Sequence, residues 1–239
     1  MSAQPLYLFV HIPKTGGQSL RDHFIEHLEW HRTFIHLGPL GERDAAARGL
    51  APFEQRPPEQ RAAARVILGH GVTRLTHTLV PGRPPRYIVC LRDPAEQLVS
   101  NYHFQMHLAE QAGEPVVDFE AWYAPRPRDF QVRWLLNRFL LLNTAAVGFG
   151  HLAIVEQALT QFRLVADVRR LDEAMRPILR DLGVPEPMPR RNQAGEQVRR
   201  RIDLTDALRA RLYADNPLDL ALHRTWACRA TLPGLAAAA

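Results

Sequence analysis

Unbroken apolar runs alternate along this chain with stretches in which apolar residues recur every three or four positions. Leu6–Val10 is apolar throughout and reads as a buried strand, and Leu20, Phe24 and Leu28 then fall at i, i+4 and i+8, the stripe of a helix from Ser19 onward. Arg65–His70 carries a second apolar run ending in a turn, and Tyr87–Leu91, set off by the breaker Pro81-Gly82-Arg83-Pro84-Pro85, is the clearest buried strand. Asp93, Pro94 and Glu96 suit the N-cap, N1 and N3 positions of the next helix, in a capping-box arrangement. Along that helix Ala95, Leu98, Val99, Tyr102 and Met106 form one stripe, and Ser100 falls opposite it, where packing does not require it.

Residues 38–62 read as a loop with a short helix, 118–142 and 151–162 as helices, Phe162–Val168 as a short strand and 169–182 as a helix. Val184–Pro189 is a loop, 204–214 and 217–229 are helical, and the final alanines fray. Strand-like and helix-like periods in alternation predict an α/β fold, a central parallel sheet flanked by helices. One domain over 1–232 with a disordered tail at 233–239 is expected, with no internal repeat or domain boundary.

Composition narrows the classes. A hydrophobic fraction of 46% with 23% charged residues is that of an ordinary globular chain. There is no signal peptide and no apolar run long enough to span a membrane, so a cytoplasmic protein of bacterial type is expected. Cys90 and Cys228 form no disulfide framework, and Cys90 sits in an apolar run as a core residue. A net charge of +5 admits an anionic ligand. The basic residues are dispersed and no aromatic platform accompanies them, which argues against a nucleic-acid partner.

Of 30 basic residues the only lysine is Lys14, in His11-Ile12-Pro13-Lys14-Thr15-Gly16-Gly17-Gln18-Ser19-Leu20. An ammonium is a compact point charge that an arginine does not replace. Strand, glycine loop and helix N-terminus together make an anion cradle of backbone N–H groups. The order is not that of a Walker A loop, in which the lysine follows the last glycine, so a nucleotide kinase or NTPase is disfavoured. At the end of the Tyr87–Leu91 strand stands Arg92, where open α/β sheets bind ligands and a guanidinium can grip a phosphate in bidentate fashion. No His, Cys or acidic cluster has metal-ligand spacing, so no metal is expected.

The order Pro-Lys-Thr-Gly-Gly-x-Ser-Leu resembles the 5′-phosphosulfate loop of sulfotransferases that use 3′-phosphoadenosine 5′-phosphosulfate (PAPS). Ile88–Pro94 followed by Ser100, eight residues after Arg92, resembles the 3′-phosphate motif of that family. The resemblance is nearest to the glycan branch that includes heparan sulfate 2-O-sulfotransferase. Val66–Val72 resembles the segment carrying that branch's histidine base, Asp129–Leu135 a further helix segment, and Asn216-Pro217-Leu218-Asp219 with Leu222 the C-terminal helix pattern. Outside the two phosphate motifs the likeness is loose. Three residues depart from the pattern: Gln18 where Thr or Ser is common, Gln97 where a second arginine is common, and Asp129 where Asn is expected.

The resemblance implies a P-loop-like sulfotransferase architecture. It also implies transfer of a sulfuryl group from PAPS to a hydroxyl acceptor, a glycan, by in-line displacement with a histidine base and with 3′,5′-adenosine bisphosphate (PAP) as product. Backbone N–H groups from Thr15 through Gly16, Gly17 and Gln18 to Ser19, with the Thr15 and Ser19 hydroxyls, would hold the 5′ phosphate. Lys14 would offset charge growing on the leaving group, and Arg92 with Ser100 would bind the 3′ phosphate. His70, between two glycines at a strand end, is the candidate base, since a neutral imidazole suits that role near neutral pH. His11 is expected to pack beneath the loop. His23, His27, His31, His36, His77, His103 and His107 read as helix or loop surface. The competing reading from another class is a non-catalytic PAP- or PAPS-binding module that keeps Lys14, Arg92 and Ser100 but not the chemistry. No motif names the acceptor or the oligomeric state.

Overall fold

A computed structural model of the chain describes residues 4–38, 53–188 and 201–227. Its centre is a five-stranded sheet in the order β2-β3-β1-β4-β5, all neighbours parallel, as the alternating pattern predicts. The strands are β1 Leu6–Val10, β2 Phe34–His36, β3 Val66–Gly69, β4 Pro85–Leu91 and β5 Leu164–Asp167. The helices are α1 Gly17–His27, α2 Pro58–Ala62, α3 Pro94–Ala112, α4 Phe119–Tyr123 and α5 Phe130–Trp134. They continue with α6 Phe149–Leu159, α7 Leu171–Leu182, α8 Asp206–Asp215 and α9 Pro217–Leu222. The last expected helix passes after α9 into a π-helical turn at His223–Ala227, and the expected tail lies outside the described residues.

Helices cover both faces of the sheet, which is why β1 and β4 read as continuous apolar runs rather than as alternation. Leu6, Leu8, Val10, Ile67, Val89 and Leu91 face Val132, Leu135, Leu152 and Leu218. Tyr7, Phe9, Val66, Leu68, Ile88 and Cys90 face Leu20, Phe24, Met175 and Leu179 on the other side. The predicted stripe of α3 packs on Phe119, Trp122 and Leu212 instead.

Three expectations change. β2 is only three residues long, too short to show a period, and is added to the sheet edge through Phe34, Ile35 and His36 pairing with Val66, Ile67 and Leu68. The stretch 118–142 is not one helix. Pro125 and Pro127 interrupt it, Asp129 adopts a left-handed conformation with φ of 57°, and a π-helical turn at Leu135–Phe139 closes it. The supposed breaker overlaps the sheet, because Pro85 is the first residue of β4, a position that needs no ladder N–H.

Candidate functional site

Strand order places the site. The chain leaves β1, fills the sheet on one side with β2 and β3, then crosses to β4 on the other, so the switch in direction lies at β1. Three neighbouring carboxyl ends, those of β3, β1 and β4, therefore carry His70, the loop from His11 to Gly17, and Arg92. Val10 pairs with both Gly69 and Val89, so His11 and His70 follow at the same level. With strands about 5 Å apart, all three segments leave the same end of the sheet side by side.

The loop is tight. Lys14 has φ of 67° and Gly16 has φ of 90°; a left-handed lysine is an uncommon conformation that the surrounding contacts hold. The Lys14 carbonyl accepts from Arg92 Nη1 at 3.2 Å, and the Pro13 carbonyl accepts from Gln97 Nε2 at 3.1 Å. Gln97, the departure from the family pattern, thus holds the loop through an amide. Gly16 caps α1 without any side-chain hydrogen bond, and the first turn of α1 carries no acidic residue, so its N–H groups suit an external anion. The Thr15 hydroxyl differs from expectation. It is buried and donates to the Ile12 carbonyl at 2.8 Å, so its proton is used inside the loop and its backbone N–H is what remains for an anion. Ser19 is half-buried in the first turn and Gln18 is exposed.

The Lys14 ammonium lies 4.2 Å from the centroid of the Phe104 ring, a cation–π contact that favours its charged form. Burial, with the Arg92 guanidinium nearby, works the other way and brings Lys14 from 10.5 down to about 8. Gln97, Ser100 and Phe104 are spaced along one face of α3, so half-buried Ser100 lies between two residues that touch the loop.

Arg92 is fixed through its backbone. Its N–H donates to Gln131 Oε1 at 3.0 Å and its carbonyl accepts from Gln131 Nε2 at 2.8 Å, so one fully buried amide reads both groups. Gln131 is held in turn. Asp219 in α9 accepts from the N–H groups of Gln131 and Val132 at 2.9 and 2.8 Å, while Asp129 accepts from those of Leu218 and Asp219 at 2.9 and 3.1 Å. Each aspartate caps the other's helix. Burial raises both carboxyls, Asp219 to about 7, against the pull of those N–H groups. The segments Asp129–Leu135 and Asn216–Asp219, which resembled the family only loosely, are therefore partners of one another.

His70 Nδ1 lies 2.7 Å from the His11 carbonyl. A carbonyl only accepts, so in the neutral ring Nδ1 carries the proton and Nε2 keeps its lone pair. The His70 ring stacks on His11 with centroids 4.2 Å apart and meets Trp134 edge-on at 5.4 Å. Its flanking glycines serve close approach, since a Cβ on Gly69 would come within 1.8 Å of the Leu37 carbonyl oxygen and one on Gly71 within 2.7 Å of that of Gly38. His11 does pack beneath the loop: a Cβ on Gly17 would lie 2.1 Å from its ring. Burial, then His70, holds His11 well below the usual histidine range. Two histidines expected at the surface are buried: His23, beside the Pro185 carbonyl at 3.0 Å, and His103, whose Nε2 accepts from the Ile202 N–H at 3.0 Å.

Glu96 also departs from expectation. Asp93 makes its half of the capping box, accepting from the Glu96 N–H at 3.1 Å, but the Glu96 carboxylate turns to Arg92, Arg169 and Arg209. Arg169 and Arg209 carried no motif in the sequence. Among the described residues no group of three or more His, Cys, Asp or Glu side chains could hold a metal ion, and no helix is long and apolar enough to cross a membrane.

No protein-family model matches this chain, and no curated protein matches it. Among solved structures, one that it is similar to is a sulfotransferase from Alicyclobacillus acidocaldarius, at 17% identity and a TM-score of 0.46, covering 93% of this chain and 95% of that one. Another is the mouse sulfotransferase SULT7A1 complexed with PAP, at 15% identity and a TM-score of 0.40, covering 88% of this chain and 64% of that one.

Proposed function

We propose that the chain transfers a sulfuryl group from PAPS to a hydroxyl acceptor. The observation that carries the reading is the meeting of three chemistries on adjacent strand ends. These are an ammonium on the loop that opens α1, a guanidinium fixed by its backbone, and an imidazole whose Nδ1 is engaged by the His11 carbonyl, which leaves Nε2 as the basic nitrogen of the neutral ring. Backbone N–H groups of the loop and the first turn of α1 hold the 5′ phosphate. Arg92 and Ser100 hold the 3′ phosphate and separate PAPS from AMP and ATP. His70 Nε2 takes the acceptor's proton as its oxygen bonds to sulfur. Lys14 stabilises the charge left on the 5′ phosphate as the sulfur–oxygen bridge breaks. The fit has physical support: Arg92 Nε is buried without a hydrogen-bond partner, a donor that an anion would satisfy. The likeness of Val66–Val72 to the glycan branch supports a carbohydrate acceptor.

The test is calorimetric titration with PAP, with AMP and ATP as controls and Arg92→Ala alongside, followed by transfer from PAPS with His70→Ala. Metal-independent PAP binding that AMP lacks and Arg92→Ala loses is the expected result, with His70→Ala binding PAP but not turning over. No PAP binding, or preference for ATP with magnesium, overturns the proposal. PAP binding without transfer to any hydroxyl acceptor favours the binding-module reading.

A further inference from the structure

We infer that Arg169, on the turn after β5, is a second arginine of the 3′-phosphate seat, and that Glu96 occupies this seat until nucleotide displaces it. The inference rests on the donor-site reading above and adds a residue and an exchange to it.

Three guanidinium groups converge on one carboxylate. Arg92 Nε stands 3.7 Å from Glu96 Oε2, Arg209 Nη2 stands 3.8 Å from Oε1, and Arg169 Nη2 hydrogen-bonds Oε1. The forked guanidinium matches carboxylate and phosphate oxygens alike, so arginines that share a carboxylate can share a phosphate. Glu96 is an incomplete partner for Arg92: its distance is too long for a hydrogen bond, and Arg92 Nε is left without one. An anion with a third oxygen and a larger charge can complete what the carboxylate leaves unmade.

Arg169 is placed to take part. β4 and β5 are neighbours, with Leu91 paired to Asp167, so Arg92 and Arg169 leave adjacent carboxyl ends. The turn bearing Arg169 also abuts the phosphate loop, since a Cβ on Gly16 would meet Leu171 Cδ2 at 2.9 Å and Val168 Cγ2 at 3.1 Å. Asp167 Oδ1 accepts from the Arg169 N–H at 2.7 Å and fixes its backbone, while the side chain stays half-exposed. Arg209 is different. Its Nη1 is tied to Asp93 at 3.3 Å and to the Tyr213 hydroxyl at 3.2 Å, which keep it behind the seat. The helix position that Gln97 fills carries an amide bound to Pro13, so the second arginine of this site comes from β5 rather than α3.

The experiment measures PAP and AMP affinities of the wild type, Arg169→Ala and Glu96→Gln. Arg169→Ala should lower PAP affinity by about tenfold or more and leave AMP within about twofold, because only PAP carries the 3′ phosphate. Glu96→Gln should bind PAP several-fold more tightly, with AMP again unchanged. A wild type that prefers PAP together with an indifferent Arg169→Ala, or a variant that loses both nucleotides equally, overturns this inference alone. Weaker PAP binding by Glu96→Gln would make Glu96 a holder of the arginines and overturn the exchange. A wild type that binds PAP no better than AMP removes the seat itself, and the donor-site reading with it.

Discussion

Proton uptake on nucleotide binding should report Lys14. Burial and Arg92 place its ammonium at about 8 in the free protein, so at pH 8 about half of the molecules carry it neutral, and at pH 7 about a tenth do. An anionic nucleotide against the ammonium favours the charged form and raises that value again. Binding should therefore take up about half a proton at pH 8 and about a tenth at pH 7. The sign follows from the same linkage: the complex binds more protons than the free protein above pH 8, so PAP affinity falls there, by up to about tenfold per pH unit. Calorimetry at pH 8 in buffers of different ionisation enthalpy gives the proton count directly. Lys14→Arg is the control, because a guanidinium stays charged throughout this range and should abolish the uptake. No uptake at pH 8, or equal uptake by Lys14→Arg, would refute the reasoning that ties the loop's ammonium to the bound anion.

Gly17→Ala should cost about 1–3 kcal/mol in thermal or urea unfolding, because its Cβ would lie 2.1 to 2.5 Å from His11 ring atoms. The displaced ring backs onto His70, so PAPS turnover should fall further than stability alone explains. Asp129→Asn should keep the oxygen that caps α9 and remove one of two facing carboxylates. Asp219 holds its proton up to about 7, well after an unfolded aspartate has released one, so the fold loses stability as pH rises from about 4 through 7. Melting temperatures at pH 5 and pH 8 should differ less in Asp129→Asn than in the wild type, whereas Asp129→Ala should be less stable at both.

The sheet was legible because its central strands are apolar on both faces and run into a glycine-bearing loop, a glycine or an Asp-Pro helix start. The loop and Arg92 were legible because their chemistry is contiguous in sequence. What escaped depends on distance along the chain. The break in 118–142 rests on Asp129 in a left-handed turn whose caps lie 89 and 90 residues away. Gln131 looked like one polar helix residue among many until it met Arg92, 39 positions earlier. Arg169 sat in an ordinary Arg-Arg pair, and only the pairing of β4 with β5 brings it to Glu96. His23 and His103 read as surface because helix periodicity shows which face a residue is on, not what a later loop lays over it.

Arg92 answers to a part of the chain made long after it. Gln131 orders its peptide groups, and Asp219 orders Gln131, so the arginine takes its final attitude only when α9 has docked. During synthesis, the ammonium loop and the guanidinium exist for more than a hundred residues without the brace that joins them to α9. A growing chain would therefore hold the pieces of the proposed anion site without its grip, and completion of that site would coincide with the arrival of α9.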